Sequence, residues 1–284
     1  MKKILLASTA MAAFAGAAAA EVVAEGPGTI SLSGNAELGA FGGTVTVDHS
    51  LDGADDTEIT EKLQFWQEID LDITFTGETD GGLTFGADFD IDEADNLGNA
   101  SDDMGVTVFI GSEFGNLTMG DTDGALDFVL TEAGNIANPG SIADDETAHV
   151  GYLGSYLDGA NGDGQIVRYD YSFGDFAFAV SIEQAASMDG MFVDGDPDPT
   201  FAIGGKYNAD FGGTEVALGV GYQAIDDGDD TNAIGVSATA TLANGISVGG
   251  VYTAFNSDVD AKSGNHFGIG GGYTFDAFSV HANY

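Results

Sequence analysis

Residues 108–127 read "VFIGSEFGNLTMGDTDGALD". Val108 and Ile110 alternate with polar residues, the chain turns at Phe114-Gly115, and alternation resumes at Leu117 and Met119. A period of two marks a strand with one apolar face. Two such runs around a short Gly-containing gap mark a hairpin. At Gly120 the pattern stops, and an acidic, Gly-rich segment without strand periodicity runs to about Ile166. Loops beyond ~12–15 residues with no structure of their own are uncommon and usually functional or disordered. This stretch poses the fold as strand hairpins and places the functional question in the loop 120–165.

The same alternation repeats outward in both directions. Apolar residues two apart mark strands from Ile30 to Ala40, Leu63 to Phe75, Leu83 to Ile91, Val106 to Ile110, Leu117 to Met119, Val167 to Phe173 and Phe176 to Ile182. Six more run from Phe201 to Phe211, Val216 to Tyr222, Ile234 to Leu242, Ile246 to Tyr252, Phe267 to Phe275 and Phe278 to Tyr284, thirteen in all. A soluble sandwich also alternates, with its apolar face inward. Three features favour the inverted arrangement, apolar face to lipid and polar face to a lumen. The polar faces carry charge and Gly on strand after strand, with little that would form a second core. Connections alternate short (Gly77–Gly82, Phe114-Gly115, Gly174-Asp175, Gly212–Thr214, Ala243–Gly245, Asp276-Ala277) and long (42–61, 92–105, 120–165, 183–200, 223–232, 255–266). Outer-membrane barrels have short periplasmic turns and longer outer loops. Aromatics also flank the short turns, as Phe75 and Phe85, Phe173 and Phe176, and Phe275 and Phe278 do, where a barrel's interfacial girdle belongs. The fold class is therefore all-β, an antiparallel transmembrane β-barrel.

Composition narrows the function. Lys2 and Lys3, the apolar run from Ile4 to about Ala15, and Ala18-Ala19-Ala20 before Glu21 form a secretory signal peptide, residues 1–20. The mature barrel domain is then 21–284. The whole chain carries 47 acidic residues and a formal charge of −41. Without the leader, Lys62, Arg168, Lys206 and Lys262 are the basic side chains that remain. Such a chain is no partner for nucleic acid, whose phosphates require cationic patches. There is no Cys, which excludes thiol chemistry and Cys-ligated metals. His49, His149, His266 and His281 form no ligand spacing, and no Ser-His-acid arrangement stands out, so the chain reads as no enzyme and with no cofactor.

"ISLSGNAELGA", "ITFTGETDGGLTFGADF", "VFIGSEFGNLTMGDTDGALD" and "YDYSFGDFAFAVSIE", in that order, resemble the alphaproteobacterial general porins of the Gram-negative outer membrane. The resemblance covers essentially all of 21–284. It implies a sixteen-stranded barrel, a homotrimer, and a third outer loop folded into the lumen. Loop 120–165 would then be the constriction of a water-filled channel for ions and small hydrophilic solutes. The alternatives are a substrate-specific outer-membrane channel, which would show a graded track of aromatics and acids, and a secreted calcium-binding β-roll adhesin. The latter needs a nonapeptide Gly repeat, and "GIGGGYTFD" occurs once.

Selectivity in such a pore comes from its width and its lining charges. The loop candidates are Asp121, Asp123, Asp127, Glu132, Asp144, Asp145 and Glu146. A short helix in "DGALDFVLTEAG" would present Asp123, Asp127 and Glu132 together. On the wall, Arg168 alternates with Val167 and Tyr169 and so points inward, near mid-height, with Asp170 beside it. It serves either as an ion pair with Asp170 or a loop acid, or as a selectivity charge, or as both. Lys206 is the second inward base. The resemblance implies basic wall residues facing an acidic loop. Here the basic side is thin, which favours cations.

Asp194, Asp196 and Asp198, and Asp226, Asp227, Asp229 and Asp230, look like calcium ligands, but none fits an EF-hand. They are candidates for weak Ca²⁺ or Mg²⁺ binding at the outer face, where such ions bridge lipopolysaccharide. Trp66 falls on the polar parity of its strand, so it faces the lumen unless a bulge near Gln67 turns it to the girdle. Both ends of such a barrel lie in the periplasm and its strand number is even. Thirteen strands and a rising last strand, Phe278–Tyr284, give the expectation of a chain truncated at its C-terminus.

Overall fold

The computed structural model describes residues 18–22, 28–47, 57–96, 99–136, 157–158, 165–184, 199–225, 230–259, 263–275 and 278–284. Its strands are β1 (Ala18–Val22), β2 (Gly28–Val47), β3 (Thr57–Glu78), β4 (Thr84–Asn96), β5 (Asn99–Ser112), β6 (Gly115–Gly120) and β7 (Gln165–Phe173). β8 (Phe176–Gln184), β9 (Thr200–Asp210), β10 (Thr214–Ile225), β11 (Thr231–Leu242), β12 (Ile246–Asn256), β13 (Gly264–Phe275) and β14 (Phe278–Asn283) follow. Among the described residues between β6 and β7 lie a helix, α1 (Ala125–Val129), and a 3-10 turn, Ala133–Asn135. All fourteen strands form one sheet in sequence order, each antiparallel to the next. Successive hairpins therefore put the expected short turns at one end and the expected long connections at the other, although β4 and β5 are separated there by only two residues, 97–98. Among the described residues, β1 and β14 are the sheet's two edges.

The thirteen strands expected from the alternation are β2 to β14. β1 is additional. It spans the expected cleavage site and pairs Ala18–Val22 with Gly34–Ile30. Two expected loops are mostly strand: β2 and β3 extend through much of 42–61, and β4 and β5 through nearly all of 92–105. A transmembrane strand needs only ~9–11 residues, whereas β3 has 22. On β4 and β5 the apolar alternation fades while backbone pairing continues. The β2–β3 register shifts once, between Phe41 and Gly43, and runs unbroken from Gln64 to Gly77. The bulge expected near Gln67 is thus not there, while the side chain of Trp66 lies outside the described residues.

The two sheet faces have opposite character. On β7–β13 the large apolar side chains stand exposed, among them Phe178 at 49%, Val220 at 53% and Ile203 at 58%. The alternate positions of the same strands, Arg168, Asp170, Glu183, Gln223, Ser237 and Thr253, are buried. In water such an apolar surface would be far larger than a soluble monomer tolerates; against lipid it is the stable arrangement. No described helix is long and apolar enough to cross a membrane, which says nothing of strands. Aromatic rings collect at the short-turn end: Phe173 and Phe176 stack at 5.7 Å, Phe275 and Phe278 at 5.6 Å, and Tyr207 meets Phe176 at 4.9 Å. The two-residue turn Gly174-Asp175 uses φ +56° at Gly174, a left-handed conformation that costs an L side chain but not Gly.

Candidate functional site

The chain leaves the sheet at Gly120. Its φ is +127°, and a Cβ there would collide with the Val106 carbonyl, so only Gly allows this departure. The Asp121 N–H then bonds to Val106 O at 3.0 Å, and the segment 121–136 turns onto the polar face of the sheet. α1 packs against β8, β9 and β10, and the 3-10 turn against β12, β13 and β14.

The seat for this segment is a wall nearly bare of side chains. Ala179, Ala202 and Ala233 cluster with Ala125, Leu126 and Val129 in a small core, with Phe128, Leu130, Leu157 and Phe255 around it. Gly219 and Gly270 lie under loop carbonyls, those of Val129 and Ala133. At Gly221 and Gly235 an added Cβ would stand 2.7 and 2.6 Å from the ends of Leu126 and Leu130. The sequence reading found little on the polar faces to make a second core. One exists, because the loop supplies its large side chains and the wall only the room. Full burial of Leu126 contributes ~1.5–3 kcal/mol to holding the loop there.

Polar groups fix the register of docking. Ser181 Oγ accepts the Ala125 N–H at 2.8 Å and Ser237 Oγ the Thr131 N–H at 3.0 Å. The Asp158 carboxylate accepts the Gly124 N–H at 2.9 Å and a hydrogen bond from Gln223 Nε2. Gln223 Oε1 in turn accepts the Leu157 N–H at 2.7 Å. The amides at the start of α1, which have no partner within the helix, are met by a wall hydroxyl and a returning loop carboxylate.

The basic wall residues belong to the same seam. Arg168 is buried; its Nη1 donates to Asp123 O at 2.7 Å. It pairs with the carboxylates of Asp123 at 3.9 Å and Asp170 at 3.6 Å. Asp170 also accepts from Asn116 Nδ2 at 3.1 Å. Lys206 Nζ donates to Phe128 O at 3.1 Å. Asp121 is exposed, and its carboxylate reaches over Gly105 beside Asp90. The Asp123 side chain is 59% exposed, against 11% for Arg168. Asp127 lies on α1, half-buried; its carboxyl is pushed up to about 8, first by burial and then by Asp123, Asp158 and Glu132. Burial likewise raises Asp158. Glu132 is buried.

Of the expected site residues, Asp123, Asp127, Glu132, Arg168, Asp170 and Lys206 thus gather at the docked loop, with Asp121 at its entrance. Asp144, Asp145 and Glu146 lie outside the described residues. So do Asp194, Asp196, Asp198, Asp226, Asp227 and Asp229. Asp230 is described, in a left-handed turn of φ +46°. Among the described residues no cluster of three metal-ligating side chains occurs. Sequence reasoning passed over Asp158, Ser181, Gln223 and Ser237. The available signal was the run of Gly and Ala on inward parity across β8–β13, which has no purpose unless something docks there.

A family model described as Gram-negative porin matches residues 7–284. A porin of Rhodobacter capsulatus is 31% identical over 159 residues, 55% of this chain and 48% of that protein, so the chain aligns with about half the length of this relative. A mutant of Rh. blastica porin superposes with a TM-score of 0.59 at 22% identity, over 89% of this chain and 83% of that one. Salmonella typhi OmpF, in a complex with daunomycin, gives 0.50 at 15% identity, over 93% and 92%. At these identities the structural likeness speaks for the fold.

Proposed function

The chain belongs to the Gram-negative porin family, outer-membrane proteins by class, and from that premise we propose that it forms a water-filled channel through which small hydrophilic solutes and ions diffuse, with cations preferred. One observation carries the preference. The two Lys and Arg side chains described, Arg168 and Lys206, are both turned into the seam between loop and wall. The side chains of Asp121 and Asp123 are exposed to solvent. A passage lined by open carboxylates, with its fixed cations withdrawn, holds a negative potential and concentrates cations. Diffusion needs no catalytic group, and the roles assigned here are those of lining and positioning. Asp121 and Asp123 line the passage, Arg168, Asp170 and Lys206 anchor the loop, and Asp127 and Glu132 face the seam beneath it.

The deciding measurement is the reversal potential of single channels in a KCl gradient. Potassium is expected to be the preferred ion, and a chloride-selective potential refutes the preference. The same reading takes residues 1–20 as an export signal, places the apolar belt in lipid, and has three copies associate through outward faces with small residues such as Ala238 and Ala240. Cross-linking in mild detergent that yields only monomer refutes the trimer.

A further inference from the structure

Arg168 and Lys206 converge on one aromatic ring. The guanidinium carbon of Arg168 lies 4.2 Å from the Phe128 ring centroid, and Lys206 Nζ lies 3.8 Å from it. Two like charges on one ring repel each other, and filling the seat does not require them there: Leu126, Val129 and Leu130, not Phe128, stand over its glycines. The electron-rich ring face is what each cation gains. The two differ in their other partners. Arg168 has carboxylates, Asp123 and Asp170. Lys206 makes no ion pair among the described residues. Its direct contacts are with Phe128, the carbonyl at 3.1 Å and the ring, while Asp170 and Asp123 act on it only from beyond ion-pair distance. An inward-facing ammonium is thus kept from the lumen chiefly by Phe128.

We infer that Phe128 is a specificity-determining residue of the channel. Its ring and carbonyl hold the Lys206 charge, and part of the Arg168 charge, in the seam, and so keep the passage acidic. This rests on the channel reading above. Substitution by an apolar residue without a π-face frees the ammonium to swing into the passage, where a fixed cation raises the barrier to potassium and lowers it for chloride.

The test compares wild type with F128L and F128W by two readouts. One is the potassium-to-chloride permeability ratio in a KCl gradient. The other is the rate at which an amine-acylating reagent modifies Lys206 in the folded protein, read by mass spectrometry. F128L is expected to lower the ratio about twofold or more and to raise Lys206 labelling roughly threefold or more. F128W, with the larger π-face, is expected to keep both near wild type. F128L with wild-type selectivity and wild-type labelling overturns the inference, as does F128W behaving like F128L. If F128L does not assemble, F128M replaces it, similar in volume and also without a π-face. A wild type that conducts nothing defeats the channel reading, but Lys206 labelling in the variants still decides whether Phe128 shields the charge.

Discussion

Two stretches of the same inner face have been built in opposite ways. On β3 and β4, Asp72 stands in register with Asp90, and Asp70 with Asp92. Like charges directly opposed on a sheet cost stability. Hydroxyls partly relieve the acids of this wall: Ser33 donates to Asp72 at 3.2 Å, and Thr74, opposite Asp88, donates to it at 2.7 Å. On β8–β13 the corresponding positions are largely Ala and Gly, with Ser181, Ser237 and Gln223 among them. The loop lies on the second wall and not the first. A wall of carboxylates must stay hydrated, because an unpaired buried charge is prohibitive. A bare wall gains by being covered. Placement of the loop therefore follows from the contrast between the walls, and the proposed passage would run between the acidic wall and the acidic edge of the loop.

The most direct way to break this contrast is to furnish the bare wall. In G219V the new side chain meets the Val129 carbonyl, which is backbone and has no rotamer to retreat to. The loop is expected to leave its seat, with single-channel conductance rising about two- to fourfold. Wild-type conductance in a folded G219V barrel would show that the loop does not narrow the pore. Removing loop mass instead of adding wall should act in the same direction but less. L126A empties a fully buried site, a change that costs ~2–5 kcal/mol in packed cores, and is expected to make conductance noisy between two levels.

Replacing the anchor changes charge and position together. R168E places a carboxylate against Asp170 and Asp123, and breaking a buried pair from one side costs ~3–5 kcal/mol. The potassium preference is expected to rise about threefold, accompanied by a looser loop. R168M separates the two effects, since it loosens the loop without adding negative charge. An unchanged reversal potential in R168E would mean that the seam lies outside the conduction path.

How much of this was readable in advance follows from what sets each signal. The strands were readable because lipid imposes an apolar residue at every second position, as in Phe176, Phe178 and Val180. Strand ends such as 99–105 were not, because there the residues are mostly polar on both faces and only backbone bonds continue. The break in alternation at Gly120 marked the loop, and only the resemblance suggested its inward course. Its seat was visible only as glycines, such as Gly219 and Gly221, on the parity where a pore lining was expected. Ser181, Ser237 and Gln223 look in sequence like any pore-lining polar residue. Asp158 sits in an acidic loop among many equals, and only folding brings its carboxylate to the start of α1. The role of Phe128 was hidden for the same reason, since its two cations come from β7 and β9.

The smallest expected effect concerns Asp127, and it sharpens the contrast between an acid that lines the passage and one that faces the seam. The Asp123 side chain is exposed on the loop, so D123N is expected to lower the potassium preference. The Asp127 carboxyl titrates at about 8 instead of its ordinary 3.8, so at pH 7 only about a tenth of it is ionised. D127N should then be nearly silent at pH 7. Between pH 7 and 9 the wild type gains a negative charge beside the passage and its potassium preference should rise, whereas D127N should stay flat. The stability linkage has a definite sign. A carboxyl whose folded value is raised favours the docked state fully below about pH 4, and that contribution is lost as pH rises through about 8. Asp158, also raised by burial, acts in the same direction. Alkaline pH should therefore loosen the loop while sharpening selectivity, and D127N should weaken both trends. Reversal potential reads the first effect and current noise the second. Superimposable pH profiles for wild type and D127N would show that the Asp127 carboxyl is ionised throughout, and that the seam is wetter than its packing implies.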